Sequence, residues 1–168
     1  MSGRSIEERL QRLEDLEAIR QIVIDYAVAL DEKDAETYLA QFSEQGEWVL
    51  GSMVKKGKDE IRALVDGLFR HRPDDFVNLE SFEITFHPQI KIDGDRASMK
   101  VAHLATRRGP GGNPVPVLMG RYQDELIRED GTWKIPRRVD NPTMPTAAEY
   151  SPVMQTRQKI LEANTKPG

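Results

Sequence analysis

Tyr26 and Asp31 stand five residues apart near the end of a helical-looking segment, Ile-Arg-Gln-Ile-Val-Ile-Asp-Tyr-Ala-Val-Ala-Leu-Asp-Glu-Lys-Asp, residues 19–34. A phenol and a carboxylate held against an apolar wall make an acid–base pair that moves protons without a metal or organic cofactor. Burial beside such a wall raises a carboxylate's pKa toward neutrality, where a general base works best. The two residues are separated by about 140° around an ideal helix, so they converge only if the helix ends or tightens near Leu30. The following Glu32-Lys33-Asp34 predicts that ending.

Three further polar groups come from the second half of the chain. His103, Asp124 and Arg137 alternate with apolar neighbours at strand spacing and fall on the inward parity. Histidine titrates near working pH, which makes His103 a catalytic candidate beside Asp31 as base and Tyr26 as oxyanion partner or proton donor. Asp31 either removes the proton itself or orients His103. Asp124 and Arg137 admit two readings: polar anchors for a substrate, or a structural ion pair at the sheet edge with His103 capping a carbonyl. Either way, inward charges need partners.

Composition narrows the chemistry. With no cysteine in 168 residues, disulfides, thiolate metal sites and cysteine nucleophiles drop out. His71, His87 and His103 lack the spacing of metal ligands, and no phosphate loop or nucleophile elbow occurs, so no metal and no cofactor are expected. A net charge of −4 argues against nucleic acid. No apolar run reaches the roughly 18 residues of a membrane span. The opening Met-Ser-Gly-Arg-Ser-Ile-Glu-Glu lacks a signal-peptide h-region, and a cytoplasmic protein is the expectation.

The elements that must position these groups change period midway. Residues 5–31 repeat apolar groups at steps of three and four, and Asp34 caps a short helix through Phe42. Residues 43–46 read as a turn, Trp48-Val49-Leu50 as a strand, and residues from Gly57 to before Pro73 as a third helix. Alternation then takes over, with Asp93-Gly94 and Asp130-Gly131 as hairpin turns. Ile84, Phe86, Ile90 and Ile92 share one parity, and Leu118, Gly120, Tyr122, Asp124 and Leu126 share another. Helices first and antiparallel strands after describe an α+β domain over residues 1–140, a cone of helices on a curved sheet. Residues 141–168 form an extension whose helix, capped by Ser151 with Pro152 at its first position, covers the pocket or a neighbouring subunit. Trp48, Leu50, Phe82, Tyr122 and Trp133 are the apolar residues placed against the ligand.

Ile19 through Asp31, Asp34, Gly57 with Glu60-Ile61, Asp93-Gly94-Asp95-Arg96-Ala97, Gly120-Arg121-Tyr122-Gln123-Asp124 and Gly131-Thr132-Trp133-Lys134-Ile135 follow one another in this order. The series, over roughly residues 10–138, resembles the nuclear transport factor 2-like superfamily and within it the SnoaL-like group. The Tyr26–Asp31 spacing looks like that of the bile-acid dehydratase, and Asp31 with Asp34 resembles the helix end of scytalone dehydratase. Relatives often carry a catalytic histidine near the start of the strand before the Asp-Gly turn; that position falls at Phe82 or Glu83 here. The resemblance implies a cofactor-independent lyase or isomerase acting on a hydrophobic aromatic or polycyclic small molecule, by dehydration, retro-aldol elimination or cyclisation. It also implies a homodimer or homotrimer. The alternative is a non-catalytic ligand-binding or dimerisation module, or the small subunit of a ring-hydroxylating dioxygenase.

Overall fold

Apolar spacing of three and four produces α1 (Ile6–Glu32), the longest helix of the computed structural model, which describes residues 5–69, 77–150 and 152. Ser5 accepts from the Glu8 N–H, and the Glu8 carboxylate accepts from the Ser5 N–H. This reciprocal box satisfies two donors that a bare helix start leaves open. The helix stops at Lys33, which turns left-handed (φ 59°) and donates its N–H to Ala29. Asp34 then caps α2 (Ala35–Ala40) by accepting from the Thr37 N–H. The helix thus ends at Glu32, two residues beyond the Leu30 ending that the sequence predicts, and Asp31 sits in the last turn of α1.

Next come β1 (Phe42–Leu50), β2 (Met53–Lys56) and α3 (Gly57–Phe69), then β3 (Ser81–Asp93), β4 (Arg96–Arg108), β5 (Pro114–Glu129) and β6 (Thr132–Met144). The sheet order is β2-β1-β6-β5-β4-β3, antiparallel throughout except for the parallel pair β1–β6. It is an open, curved sheet in an α+β fold. The inner faces of α1 and α3 supply Ile19, Ile22, Val23, Ile61, Leu64 and Val65 to a core shared with Met99, Val101, Leu126 and Ile135 on the strands. Among the described residues no helix is long and apolar enough to cross a membrane.

Three boundaries differ from the sequence expectation. Residues 43–46 are not a turn; they belong to β1 and form a break in its register with β6 between Phe42 and Glu47. Gly46 fits there because a Cβ would stand 3.0 Å from the Ile135 carbonyl. Strand β6 continues to Met144, so the sheet extends past residue 140. Helical backbone already begins at Ala147, with Glu149 and Tyr150 donating to the Thr146 carbonyl; Ser151 lies outside the described residues.

Two prolines decide which side chains face inward. Strand β3 carries one extra residue between Phe86 and Gln89, where His87 adopts φ 56° and Pro88 has no N–H to pair. Strand β6 carries one between Lys134 and Arg137, at Ile135-Pro136. Each bulge slips the pleat by one residue and exchanges the faces beyond it. On β3, Ile90 and Ile92 remain inward as read, but Ile84 turns outward and Glu83 takes the inner side. On β6, Arg137 is likewise corrected. It points to the outer face, half-exposed, near Glu47 (3.5 Å) and Glu125 (3.8 Å), while Arg138 is buried.

Asp124 is therefore paired with Arg138 and not with Arg137. The carboxylate receives Nε at 2.8 Å and Nη2 at 2.6 Å, a two-pronged bond between fully buried groups. Removing one partner of a buried pair strands the other charge, at about 3–5 kcal/mol, whereas an exposed pair contributes below about 1 kcal/mol. Chemical denaturation should accordingly show Asp124→Ala losing several kcal/mol and Arg137→Ala almost nothing; equal effects would contradict the bulged register.

Candidate active site

The end of α1 is tied to the start of β3. The Glu83 N–H donates to Asp31 Oδ1 at 2.7 Å, and the Asn78 side chain donates to the Asp31 carbonyl at 2.8 Å. Asn78 also accepts from the Glu80 and Ser81 N–H groups, which fixes the turn into the strand. Burial pushes the Asp31 carboxyl above its ordinary value; the Glu83 N–H opposes that rise and the nearby Glu83 charge adds to it. Asp31 Oδ2 accepts no hydrogen bond among the described residues.

Behind Glu83 lies His103, fully buried between two carboxylates. Its Nε2 is 3.0 Å from Asp140 Oδ1 in a hydrogen bond. Its Nδ1 is 3.0 Å from Glu83 Oε1 but off the line that an N–H bond prefers, so this contact is ionic in character. Burial pulls the imidazole's pKa down, but Asp140 and Glu83 outweigh it and raise it to about 9. His103 is thus an imidazolium at neutral pH. Burial holds the Asp140 carboxyl above its usual range, against the lowering by His103. Tyr122 stacks flat on the imidazole, ring centroids 4.0 Å apart, and donates its hydroxyl to Glu83 Oε1 at 2.6 Å. Gly120 faces His103 on β5, and a Cβ there would come within 2.9 Å of Nε2. Only glycine leaves room for the ring.

Tyr26 completes the layer beneath. Its hydroxyl shares a 2.8 Å hydrogen bond with Tyr38, and its ring meets Tyr122 edge-on. The Arg138 guanidinium lies 3.8 Å from the Tyr26 ring centre and 4.6 Å from that of Tyr122, a cation held by two aromatic faces as well as by Asp124. Burial pushes all three phenols, Tyr26, Tyr38 and Tyr122, above their ordinary value. They are neutral hydrogen-bond donors at neutral pH.

A cavity of about 600 Å³ opens onto this cluster, with Asp31 and Glu83 in its wall. Leu30, Leu68, Phe69, Phe82 and Tyr150 supply apolar lining, and Lys33, Arg107 and Arg108 bring cations to it. Of the residues singled out in the sequence, Asp31 and Phe82 line this space. His103 and Tyr122 stand behind Glu83, and Tyr26 behind Tyr122. Asp124 is committed to Arg138. Trp48, Leu50 and Trp133 are buried in the helix–sheet core, where Trp133 donates to Asp15. Arg137 instead lines a separate cavity of about 290 Å³ together with Lys91 and Lys100. Glu83, Asp140 and Arg138 escape a strict two-residue parity; Pro88 and Pro136 were the signals that could have found Glu83 and Arg138. Among the described residues no three histidine or carboxylate groups are arranged to hold a metal ion.

A model of the SnoaL-like domain matches residues 11–139. No curated protein matches the chain in sequence. Solved structures share the fold. A nuclear transport factor 2-like protein of cystatin-like fold from Novosphingobium aromaticivorans is 24% identical, with TM-score 0.73 over 89% of this chain and 97% of that one. A protein from the same organism described as a scytalone dehydratase is 24% identical, with TM-score 0.66 over 79% and 87%. A hexachlorocyclohexane dehydrochlorinase from Novosphingobium barchaimii is 20% identical, with TM-score 0.65 over 80% and 90%.

The imidazolium has a consequence for stability. A histidine free in the unfolded chain titrates near 6.5, and the folded value of about 9 is higher. The stabilisation is therefore complete below about pH 6.5 and is lost as pH rises through about 9. Unfolding midpoints measured across that window should fall with pH, and His103→Gln should flatten the decline; an unchanged slope would mean that His103 is neutral in the fold.

Proposed function

The chain belongs to the SnoaL-like domain family, and from that premise we propose that it is a cofactor-independent lyase that eliminates water or a comparable leaving group from a hydrophobic cyclic small molecule. One observation carries the reading: two carboxylates, Asp31 and Glu83, share the wall of one cavity, beside the apolar Leu30, Leu68, Phe69 and Phe82, and are locked together by the 2.7 Å bond from the Glu83 N–H. Asp31, raised in pKa and with Oδ2 open, is the general base that takes a proton from carbon. As that C–H bond breaks and the carbon–carbon double bond forms, the bond to the leaving oxygen breaks. Glu83 delivers the proton that the leaving group needs; the His103 imidazolium, 3.0 Å behind it, supplies that proton as ring and carboxylate come into line, and the proton taken by Asp31 passes through solvent and Glu83 back to His103. Tyr122 and Asp140 hold Glu83 and His103 in place, and Tyr26 supports Tyr122 from below.

This division of labour gives Tyr26 a positioning role, because its hydroxyl is engaged by Tyr38 and it is not in the cavity wall. It also gives Glu83 the place where relatives often carry histidine. The neighbours described as a dehydratase and a dehydrochlorinase both remove HX across a carbon–carbon bond, and this cavity has equipment for the same step.

Hydroxylated and chlorinated cyclic compounds, followed by the ultraviolet absorbance of the new double bond, form the screening panel. On a compound that turns over, Asp31→Asn and Glu83→Gln should each lower kcat by about 10²-fold or more. Asn keeps an oxygen to accept the Glu83 N–H, so Asp31→Asn should shift Tm by only about 2 °C. Turnover that survives both substitutions would sink the mechanism.

A further inference from the structure

The cavity that holds Asp31 and Glu83 also carries positive charge that the elimination chemistry does not use. Arg107 and Arg108 line it from the end of β4. Neither guanidinium has a hydrogen-bond or ion-pair partner among the described residues. The carboxylates of the same wall are directed elsewhere: Asp31 accepts from the Glu83 N–H, and Glu83 accepts from Tyr122 beside His103. Glu80, the third carboxylate of the lining, pairs with neither arginine; its main-chain carbonyl accepts the Arg108 N–H at 2.8 Å. The other cavity differs, because there Arg137 stands near Glu47 and Glu125.

Strand register places these cations relative to the reacting groups. Along β4, His103, Ala105 and Arg107 share one face; Glu83 of β3 stands opposite Ala105, and Ser81 opposite Arg107. Arg107 therefore lies one pleat beyond Glu83, about 7 Å along the sheet. The small Ala105 and Ser81 occupy the other two corners and line the cavity between them. They leave a floor on which a ring can lie, with carboxylates at one end and guanidinium groups at the other. The Arg108 guanidinium rests over Gly112 (φ 82°), where a Cβ would come within 3.0 Å of Nη2. Guanidinium groups without a partner fork onto oxyanions in a planar, two-pronged geometry. A doubly charged group would be repelled by Asp31 and Glu83 in the same space, which favours a planar monoanion. We propose that the substrate is a ring acid, its carboxylate bound by Arg107 and Arg108 and its ring lying over Ala105 and Ser81 toward Asp31. The proposal rests on the lyase reading of this cavity and adds the charge of the substrate. The arginines hold a group remote from the breaking bonds, so they set binding more than rate.

Charge preference is measured without turnover, so its failure is separable from a failure of the elimination chemistry. Isothermal titration of the full chain compares naphthoate with naphthamide, its neutral counterpart of nearly the same shape. Naphthoate should bind about tenfold more tightly, and Arg107→Gln should abolish that preference. Arg108→Gln should reduce it. Arg121→Gln, which removes an exposed arginine opposite Ala102 on the other face of the sheet, should leave it intact. Arg107 and Arg108 are exposed, so both variants should keep the Tm of the parent. Naphthyl phosphate should bind less tightly than naphthoate. Where a ring acid turns over, Arg107→Gln should raise KM about tenfold with kcat nearly unchanged. Equal binding of acid and amide, no naphthoate binding at its solubility limit, tighter binding of the phosphate, or a preference that survives Arg107→Gln would each overturn the proposal. Turnover that survives Asp31→Asn and Glu83→Gln, beside an intact preference for the acid, would remove the mechanism and leave the anion site standing.

Discussion

A pleated strand shows alternate residues to opposite sides, and everything at this site depends on where that alternation slips. Pro88 and Pro136 offer no N–H to a ladder, and at each the strand accommodates one unpaired residue. The slip in β3 turns Glu83 toward the helices. The slip in β6 does the same for Arg138 and carries Asp140 with it. Remove both, and Phe82 and Arg137 would face inward with no carboxylate beside His103. The two bulges sit on strands separated by β4 and β5, so a cluster assembled from β3, β4, β5 and β6 is made by local irregularities at its two sides.

The charges so gathered form two layers of different character. Asp124 and Arg138 are joined by two bonds through Nε and Nη2, and the guanidinium, whose Nη1 has no hydrogen-bond partner among the described residues, is clasped by the rings of Tyr26 and Tyr122. That layer is closed and rigid. Above it, Glu83, His103 and Asp140 hold one imidazolium between two carboxylates, with Tyr122 linking the layers through its ring below and its hydroxyl above. Hydrogen bonds in such a low-dielectric setting polarise one another and over-determine the geometry. The lower layer fixes position, and the upper layer holds the proton. Only its front edge, Glu83 beside Asp31, reaches the cavity.

Much of this was legible in the residues. The helical period of 5–31, the cap at Asp34 and the Asp-Gly turns define elements whose local chemistry agrees with the fold. His103, Asp124 and Tyr122 read as inward because β4 and β5 keep strict alternation across their centres. What was not legible follows from the same rule. Periodicity is carried along a strand only until a residue is inserted, so parity counted from Ile92 fails before His87, and parity counted from Trp133 fails after Pro136. Trp48, Leu50 and Trp133 illustrate a different gap: an inward apolar residue faces either packed core or open cavity, and period alone does not separate the two.

The bond between Asp31 and strand β3 is made by the main chain of residue 83, not by its side chain. Every residue but proline carries that N–H. The Asp31 carboxylate is therefore anchored by a group indifferent to the identity of its neighbour, and the side chain of residue 83 plays no part in that bond. Exchange of Glu83 for another side chain changes what faces the cavity while the carboxylate on the helix keeps its place. A new side chain at residue 83 then needs no rebuilding of the joint between helix and sheet.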